Sequence, residues 1–258
     1  MILKSEEQKR FLEQQVRAYN RPAFIAEDPI SIPHRFTAKE DIEIAGFLTA
    51  LISWGRRPAI LKSASRLMQL MDNAPYEFII HHNDADLKRL TDFVYRTFNS
   101  SDLLFLVEAL RRIYLEQVGL EFVCETCFMQ TESIKETITG LRTALLKSSH
   151  LTRSEKHLAA PEKGSAAKRI NMFLRWMVRR DDKGVDFGLW EGIPPSALMI
   201  PLDVHSGNTA RSLGLLQRKQ NDWKAVEELT GKLRGFDPSD PVKYDFALFG
   251  TGVYDGLK

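Results

Sequence analysis

The run IEIAGFLTALISW, residues 42–54, is apolar on nearly every side when it is drawn as an α-helix. Such a helix cannot lie on a protein surface, so other elements must cover it all round. Just before it, Thr37 and Glu40 in TAKE match a capping box, whose side chains accept from unpaired amides at a helix start. The sequence therefore predicts a central buried helix that begins at this box.

The rest of the chain repeats the helical period. No segment shows sustained alternation with a period of two, and no internal repeat is evident. Polar or Gly- and Pro-containing stretches at 148–165 and 181–196 are predicted to be loops. The predicted helices cover 6–19, 58–71, a segment capped by Ser100 or Ser101, 134–146, 168–180, 203–213 and a last one from Ser239. The predicted fold class is all-α.

Length and composition favour a globular protein. The chain has 258 residues, which suits one sizeable domain or two packed lobes, and 43% hydrophobic and 27% charged residues are ordinary for a soluble protein. No run of about 18 apolar residues appears, and the start MILKSEEQKR does not resemble a signal peptide. We expect a cytoplasmic location and no membrane partner.

Positive charge is concentrated in residues 142–180. This segment holds ten Lys and Arg residues against Glu155 and Glu162, whereas the net charge of the whole chain is only +2. On the predicted helix within it, Lys168, Arg175 and Arg179 fall opposite an apolar stripe. A polyanionic partner is the favoured interpretation, and a solvated helix face is the alternative.

The stretch IPLDVHSGNTARSLGLL, residues 200–216, places an acid and a histidine directly after an apolar segment. Asp203 is a favoured N-cap residue, and Gly214 stands where a left-handed residue ends a helix. Asp203 and His205 are also possible metal ligands, but no further ligand cluster accompanies them. Cys124 and Cys127 form a lone CxxC that is expected to be buried or incidental, so no metal and no cofactor are predicted.

The same stretch resembles the motif V-D-T-H-x-x-R-V-x-x-R-L-G-L of the helix-hairpin-helix DNA glycosylases, which include endonuclease III and the 8-oxoguanine glycosylases. Asp203 and His205 match the D-x-H, and residues 211–215 match the R-x-L-G-L. Upstream, ALISWGRRPAILKSASRL resembles the family's DNA-contacting helix-turn-helix, with Arg56 and Arg57 in the turn. KYDFALFGTGV resembles its last helix, and the whole layout is similar to an uncharacterised bacterial family.

The segment APEKGSAAKRIN, residues 160–171, is the best match to the family's phosphate-gripping hairpin. Pro161 and Gly164 fit, Glu162 replaces a glycine, and Lys168 comes two residues after the family's lysine. The resemblance implies two helical lobes with a cleft between them. Residues 37–198 would form a bundle that carries a divergent hairpin, and residues 1–36 with 199–258 would form the lobe that carries Asp203.

The resemblance implies base-excision repair, in which Asp203 and Lys168 cleave the N-glycosidic bond of a damaged base. The carboxylate would stabilise positive charge on the sugar. A lysine that reached the same point would form a Schiff base and cut the strand. The resemblance implies a partner, which is double-stranded DNA with a damaged or mismatched base. An oxidised purine is the favoured base, and the protein is expected to be a monomer. The expected DNA contacts are Arg56, Arg57, Gly164, Ser165, Arg175, Arg179 and His205.

Two other functions remain open from the sequence. A non-catalytic DNA- or RNA-binding protein would keep the fold and lack the chemistry, since the hairpin departs from the family pattern. A metal-dependent hydrolase would use Asp203 and His205 as ligands. The identity of the base follows from neither the motifs nor the composition.

Overall fold

The computed structural model describes residues 5–254, and this part of the chain is helical. Over that range there is no β-strand, only isolated bridges of Tyr95 with Phe98 and of Ser165 with Asp222. The predicted all-α class is confirmed. No helix within these residues is long and apolar enough to cross a membrane.

Twelve α-helices are present in the described residues, and short 3₁₀ turns connect several of them. The helices are α1 (Ser5–Tyr19), α2 (Lys39–Leu51), α3 (Arg57–Leu70), α4 (Pro75–His81), α5 (Asp84–Arg89), α6 (Ser100–Glu116), α7 (Leu120–Thr131), α8 (Ile134–Leu146), α9 (Lys168–Val178), α10 (Val204–Ser212), α11 (Trp223–Phe236) and α12 (Tyr244–Tyr254).

The chain divides into two compact units. One contains the described residues up to Ala26 and from Ala160 onward, and the other contains residues 27–159. The first unit therefore holds α1 and α9–α12, and the second holds α2–α8. Because residues 160–198 belong to the first unit, Lys168 and Asp203 lie in the same unit.

Helix α2 is the buried centre of the second unit. Every residue from Ile42 to Leu51 is buried, as the apolar run predicts. The one charged residue in this stretch, Glu43, accepts a hydrogen bond of 2.7 Å from the Tyr114 hydroxyl. A buried carboxylate needs such a partner, so α2 can carry Glu43 without disrupting the core.

The predicted capping box at α2 is wrong. The helix begins at Lys39, and its N-cap is Ala38, whose side chain makes no capping hydrogen bond. Thr37 therefore lies one residue too early for its hydroxyl to cap the helix. Glu40 and Asp41 occupy the first turn instead, where their negative charge complements the helix dipole.

Helix α9 differs from the predicted amphipathic helix. Every residue from Ile170 to Val178 is buried, and so is Arg179 just beyond the helix end. The predicted exposed face with Arg175 and Arg179 is wrong, because carboxylates inside the unit pair with both guanidinium groups. The sequence pattern could not reveal these partners, since they come from a loop and from the C-terminal region.

Close packing of α12 positions α10 in the first unit. A Cβ added to Gly252 would lie 2.7 Å from Thr209 Oγ1 and 3.1 Å from the His205 carbonyl oxygen. A Cβ at Gly250 would overlap the ring of Tyr19 on α1. The two glycines therefore allow α12 to pack directly on α1 and α10, which fixes the start of α10 within the unit.

The segment predicted as a divergent hairpin, residues 160–171, has only one of its two expected α-helices. Helix α9 follows the turn, but the element before it is a 3₁₀ helix, Thr152–His157. The turn itself contains the 3₁₀ helix Pro161–Lys163, and Gly164 and Ala167 both adopt left-handed backbone conformations. Two left-handed residues so close together reverse the chain sharply before α9.

Candidate active site

Asp203 is the N-cap of α10, as the sequence predicts. Its Oδ1 accepts hydrogen bonds from the Ser206 backbone amide at 2.9 Å and from the Ser206 hydroxyl at 3.2 Å. In return, the Asp203 amide donates to the Ser206 hydroxyl at 2.9 Å. This reciprocal capping fixes the carboxylate at the helix start and directs Oδ2 to a different partner.

That partner is Lys168, the first residue of α9. Its Nζ lies 3.9 Å from Asp203 Oδ2, and the two side chains are 26% and 22% exposed. The separation is an ion-pair distance and is too long for a direct hydrogen bond. The structure therefore brings together the two residues predicted to be catalytic, with both still accessible to a ligand.

A buried carboxylate, Asp245 on α12, interacts with this pair and was not found from the sequence. Burial raises the pKa of Asp245 to about 6; the negative charges of Asp203 and Asp186 add to the shift, while Arg175 and Lys168 oppose it. Arg175 donates a hydrogen bond to Asp245. The only sequence signal was a lone acid in the apolar run KYDFALF.

Arg175 and Arg179 lie inside the unit rather than on a DNA-contacting face. They are 3% and 2% exposed. Arg175 Nε lies 3.2 Å from Asp186, and Arg179 donates to Asp186 and Asp240 at 3.0 Å. Although burial opposes it, the surrounding carboxylates raise the pKa of Arg179. Both guanidinium groups serve as internal partners for acids, so the expectation that they contact phosphates is corrected.

Gly164 and Ser165 are exposed in the turn before α9. Their backbone amides already donate within the turn, to the carbonyl oxygens of Pro161 at 2.9 Å and Ala160 at 3.2 Å. The Ser165 hydroxyl accepts from the Ala167 amide at 3.2 Å. These amides cannot also hold a phosphate without breaking the turn, so the predicted backbone grip is not formed here.

His205 lies in the first turn of α10, where its side chain is exposed. Val204 beside it is 64% exposed, which is unusual for an apolar residue. Together they form the surface of α10 next to Asp203. Both exposed side chains therefore lie within two residues of Asp203 along the chain.

Arg56 and Arg57 belong to the second unit. Arg56 is exposed at the N-cap of α3, and Arg57 is the half-buried first residue of that helix. The turn before them contains Gly55, with a φ of 102°. The Arg96 guanidinium lies against this glycine. The turn thus presents Arg56 on the surface, and its contact with DNA stays a prediction.

The two cysteines pack inside the second unit. Cys124 is buried and Cys127 is half-buried, and both are free thiols. Burial raises the pKa of both thiols, so they stay neutral. Within residues 5–254, no three His, Cys, Asp or Glu side chains are grouped as a metal site.

The comparison with protein families matches residues 28–254 to a family described as "Protein of unknown function (DUF2400)". No curated protein and no solved structure matches the chain. The expected membership of the helix-hairpin-helix DNA glycosylases is therefore wrong. The similar stretch is short, and its Asp203 and Gly214 serve α10 as N-cap and left-handed C′ residue, roles that unrelated helices share. Since the match spans most of its length, the chain belongs to the DUF2400 family.

Proposed function

We propose that Lys168 and Asp203 cleave the N-glycosidic bond of a damaged base in double-stranded DNA, with an oxidised purine as the favoured substrate. The observation that carries the proposal is the 3.9 Å separation of Lys168 Nζ and Asp203 Oδ2 in a partly exposed pair. One reacting carbon can contact an amine and a carboxylate at once, each held at the start of a helix.

The chemistry follows from these two groups. As the base departs with the bonding electron pair and takes a proton from water, positive charge develops on the sugar, and the Asp203 carboxylate stabilises it. The Asp203 carboxylate then accepts a proton from the Lys168 ammonium, and the resulting amine adds to C1′. As the sugar ring opens, a proton passes from the amine nitrogen to O4′ and an iminium ion is left. Water removes a proton from C2′, and the phosphate leaves C3′ with the bonding electron pair as a C2′–C3′ double bond forms. Addition of water to the iminium then frees the lysine.

A second course needs only Asp203. Its carboxylate accepts a proton from a water that attacks C1′, and the product is an abasic site in an intact strand. Lys168 then orients the carboxylate and contacts the phosphate backbone. The two courses differ in whether a covalent enzyme–DNA adduct forms, so one trapping experiment separates them.

DNA fits the charge of the exposed surface. Basic residues remain exposed at the turn before α9 and at the start of α3, as Lys163 and Arg56 show. Neutralising phosphates with such cations releases counterions and gives salt-sensitive binding. A damaged base leaves the stack at lower cost than a paired one, which favours it as the target.

The test is incubation of the purified protein with end-labelled duplexes that contain 8-oxoguanine, uracil, 3-methyladenine, hypoxanthine or thymine glycol. Each reaction is analysed with and without alkali, and with borohydride. Cleavage without alkali plus a trapped adduct supports attack by Lys168. Cleavage only after alkali supports attack by water. No cleavage of any duplex contradicts the proposal.

The alternative is a non-catalytic DNA- or RNA-binding protein. One observation favours it: the amides of Gly164 and Ser165 are used within their own turn, so this turn lacks the free donors that a substrate phosphate needs. Lys168 and Asp203 would then be a structural ion pair. Salt-sensitive binding by a protein that cleaves none of the duplexes would support this function.

A further inference from the structure

A short segment, residues 221–223, contacts the backbone on both sides of the Lys168–Asp203 pair. Asn221 Nδ2 donates a hydrogen bond of 2.8 Å to the Asp203 carbonyl oxygen. Asp222 forms an antiparallel bridge with Ser165, and the Trp223 amide donates to the Gly164 carbonyl at 3.1 Å. The segment is therefore a tether, which connects the start of α10 to the turn that leads into Lys168.

The Asn221 amide is held from its other side as well. Its Oδ1 accepts a hydrogen bond of 2.6 Å from Arg211 Nη2. Arg211 Nε donates in turn to the Arg218 carbonyl at 2.8 Å. With donor and acceptor both engaged, the amide has one preferred orientation, in which the N–H faces Asp203.

Gly207 provides the space that the amide occupies. A Cβ at this position would lie 2.8 Å from Asn221 Oδ1 and 3.0 Å from its Nδ2. A Cβ is essentially never found as close as 2.8 Å to an oxygen, and 3.0 Å to a nitrogen is rare, so an added Cβ would displace the amide. The glycine inside α10 lowers helix propensity, and contact with Asn221 is the structural reason for it.

The segment is anchored beyond Asn221. The Asp222 carboxylate caps α11 by accepting from the Ala225 amide at 3.1 Å, and it accepts from Arg218 Nε at 2.6 Å. Trp223 is buried. A tether is effective only if its far end is fixed, and the start of α11 fixes this one.

We infer that Asn221 is a positioning residue, which holds the Asp203 backbone so that Oδ2 stays within reach of Lys168. Asn221 fixes the carbonyl of Asp203, and Ser206 fixes its Oδ1. The effect on turnover rests on the proposed function, whereas the effect on the geometry of the pair does not. Displacements near 1 Å can lower the rate about 100-fold, so a weak hydrogen bond at this place has a large effect.

The first test monitors Lys168 directly. Protein labelled with ¹³C at the lysine ε-carbons is compared by NMR, the Lys168 signal being assigned by its loss in Lys168→Gln. Asp203→Asn gives the signal position without the carboxylate charge. Asn221→Ala is expected to move the signal part of the way toward that position. The matched control is Asn208→Ala, an exposed asparagine on α10, which should leave the signal unchanged.

Two further variants keep the test decisive if Asn221→Ala folds poorly. Asn221→Asp keeps an acceptor for Arg211 and loses the donor to Asp203, and Gly207→Ala displaces the amide without changing residue 221. Both should move the Lys168 signal in the same direction. A Lys168 signal that stays at the wild-type position in these two variants overturns the inference.

The second test is kinetic. On a duplex that the wild type cleaves, Asn221→Ala should lower kcat about 10- to 100-fold and leave KM within about twofold, because substrate binding does not depend on the tether. A rise in KM at constant kcat contradicts positioning. If the Lys168 signal moves but the wild type cleaves no duplex, the tether stands and the proposed function fails.

Discussion

Lys168 Nζ lies 3.9 Å from Asp203 Oδ2, so the first residue of α9 meets the N-cap residue of α10 across a partly exposed gap. Each side chain lies where a helix begins, and the hydrogen bonds that fix Asp203 come from Ser206 and Asn221 rather than from Lys168. The pair is therefore a consequence of how the two helix starts are placed. The charge of either residue can be removed without removing the Asp203 cap of α10, if Asn replaces Asp203.

Asp203→Asn should strongly lower turnover and leave the fold intact. Asn is as good an N-cap as Asp, so the free energy of unfolding should change by only a few tenths of a kcal/mol. Loss of the carboxylate should lower kcat by about 10²- to 10⁴-fold with DNA binding unchanged. Asp203→Ala also removes the cap and should cost about 1 kcal/mol more in urea unfolding. Full activity in Asp203→Asn would leave only the capping role.

The sequence predicts best where local chemistry decides the structure. Helix α8 matches the predicted range, and α3 is displaced by one residue. Helix α10 begins after the N-cap Asp203 and ends before the left-handed Gly214, as the capping rules predict. Those features depend on neighbours along the chain. The predictions that fail involve side chains from other segments. Asp186 and Asp245 pair with Arg175 inside the unit, whereas the helical period placed Arg175 on an exposed face.

The candidate site divides in the same way. Asp203 was predictable at a helix start because it carries a capping signature, whereas Lys168 was singled out only through the resemblance of residues 160–171 to a hairpin. Asp245 and Asn221 were not predictable, because each acts through a tertiary contact. An isolated acid or amide in a sequence gives no indication of which backbone or charge it will meet.

Asp245 should make stability depend on pH. Its folded pKa of about 6 lies above the ordinary value of 3.8, so folding favours the protonated form. The associated stability is present below the unfolded pKa and is lost as the pH rises through 6. Asp245→Asn should therefore gain about 2 kcal/mol relative to wild type between pH 4.5 and 7.5. Parallel pH profiles of urea unfolding for the two proteins would contradict this.

Arg179→Met should destabilise the protein strongly without changing DNA binding. It leaves Asp186 and Asp240 without their shared cation, and removing one partner of a buried ion pair costs about 3–5 kcal/mol. The control is Arg180→Met, because the Arg180 side chain is 59% exposed. Chemical denaturation of both variants checks the difference. A salt dependence of DNA binding that fell in Arg179→Met would instead mean that this residue contacts phosphate.

Arg56→Ala should weaken DNA binding equally for all sequences. An exposed arginine that contacts one phosphate contributes about 1 to the slope of log K against log salt, and the variant should lose that contribution. Lys88→Ala, which removes an exposed cation from α5, serves as the control. Fluorescence anisotropy over a range of salt concentrations measures both slopes. Equal slopes for Arg56→Ala and wild type would remove Arg56 from the interface.

Gly140 and Cys127 should show strong energetic coupling. A Cβ at Gly140 on α8 would overlap Cys127 Sγ on α7. Gly140→Ala should therefore destabilise by about 1–3 kcal/mol through overpacking, although alanine is the better helix former. Cys127→Ala removes the sulfur, so the double variant should recover at least about 1 kcal/mol of that loss in a thermodynamic cycle.

The control for this cycle is Gly231→Ala on α11. That glycine has no neighbour within 4 Å of an added Cβ, so the substitution should stabilise the protein by about 0.5–1 kcal/mol. Opposite signs for two Gly→Ala changes inside helices would show that packing against the thiol sets the sign at Gly140. If Gly140→Ala stabilised the protein as Gly231→Ala does, the close approach of α7 and α8 at Cys127 would be incorrect.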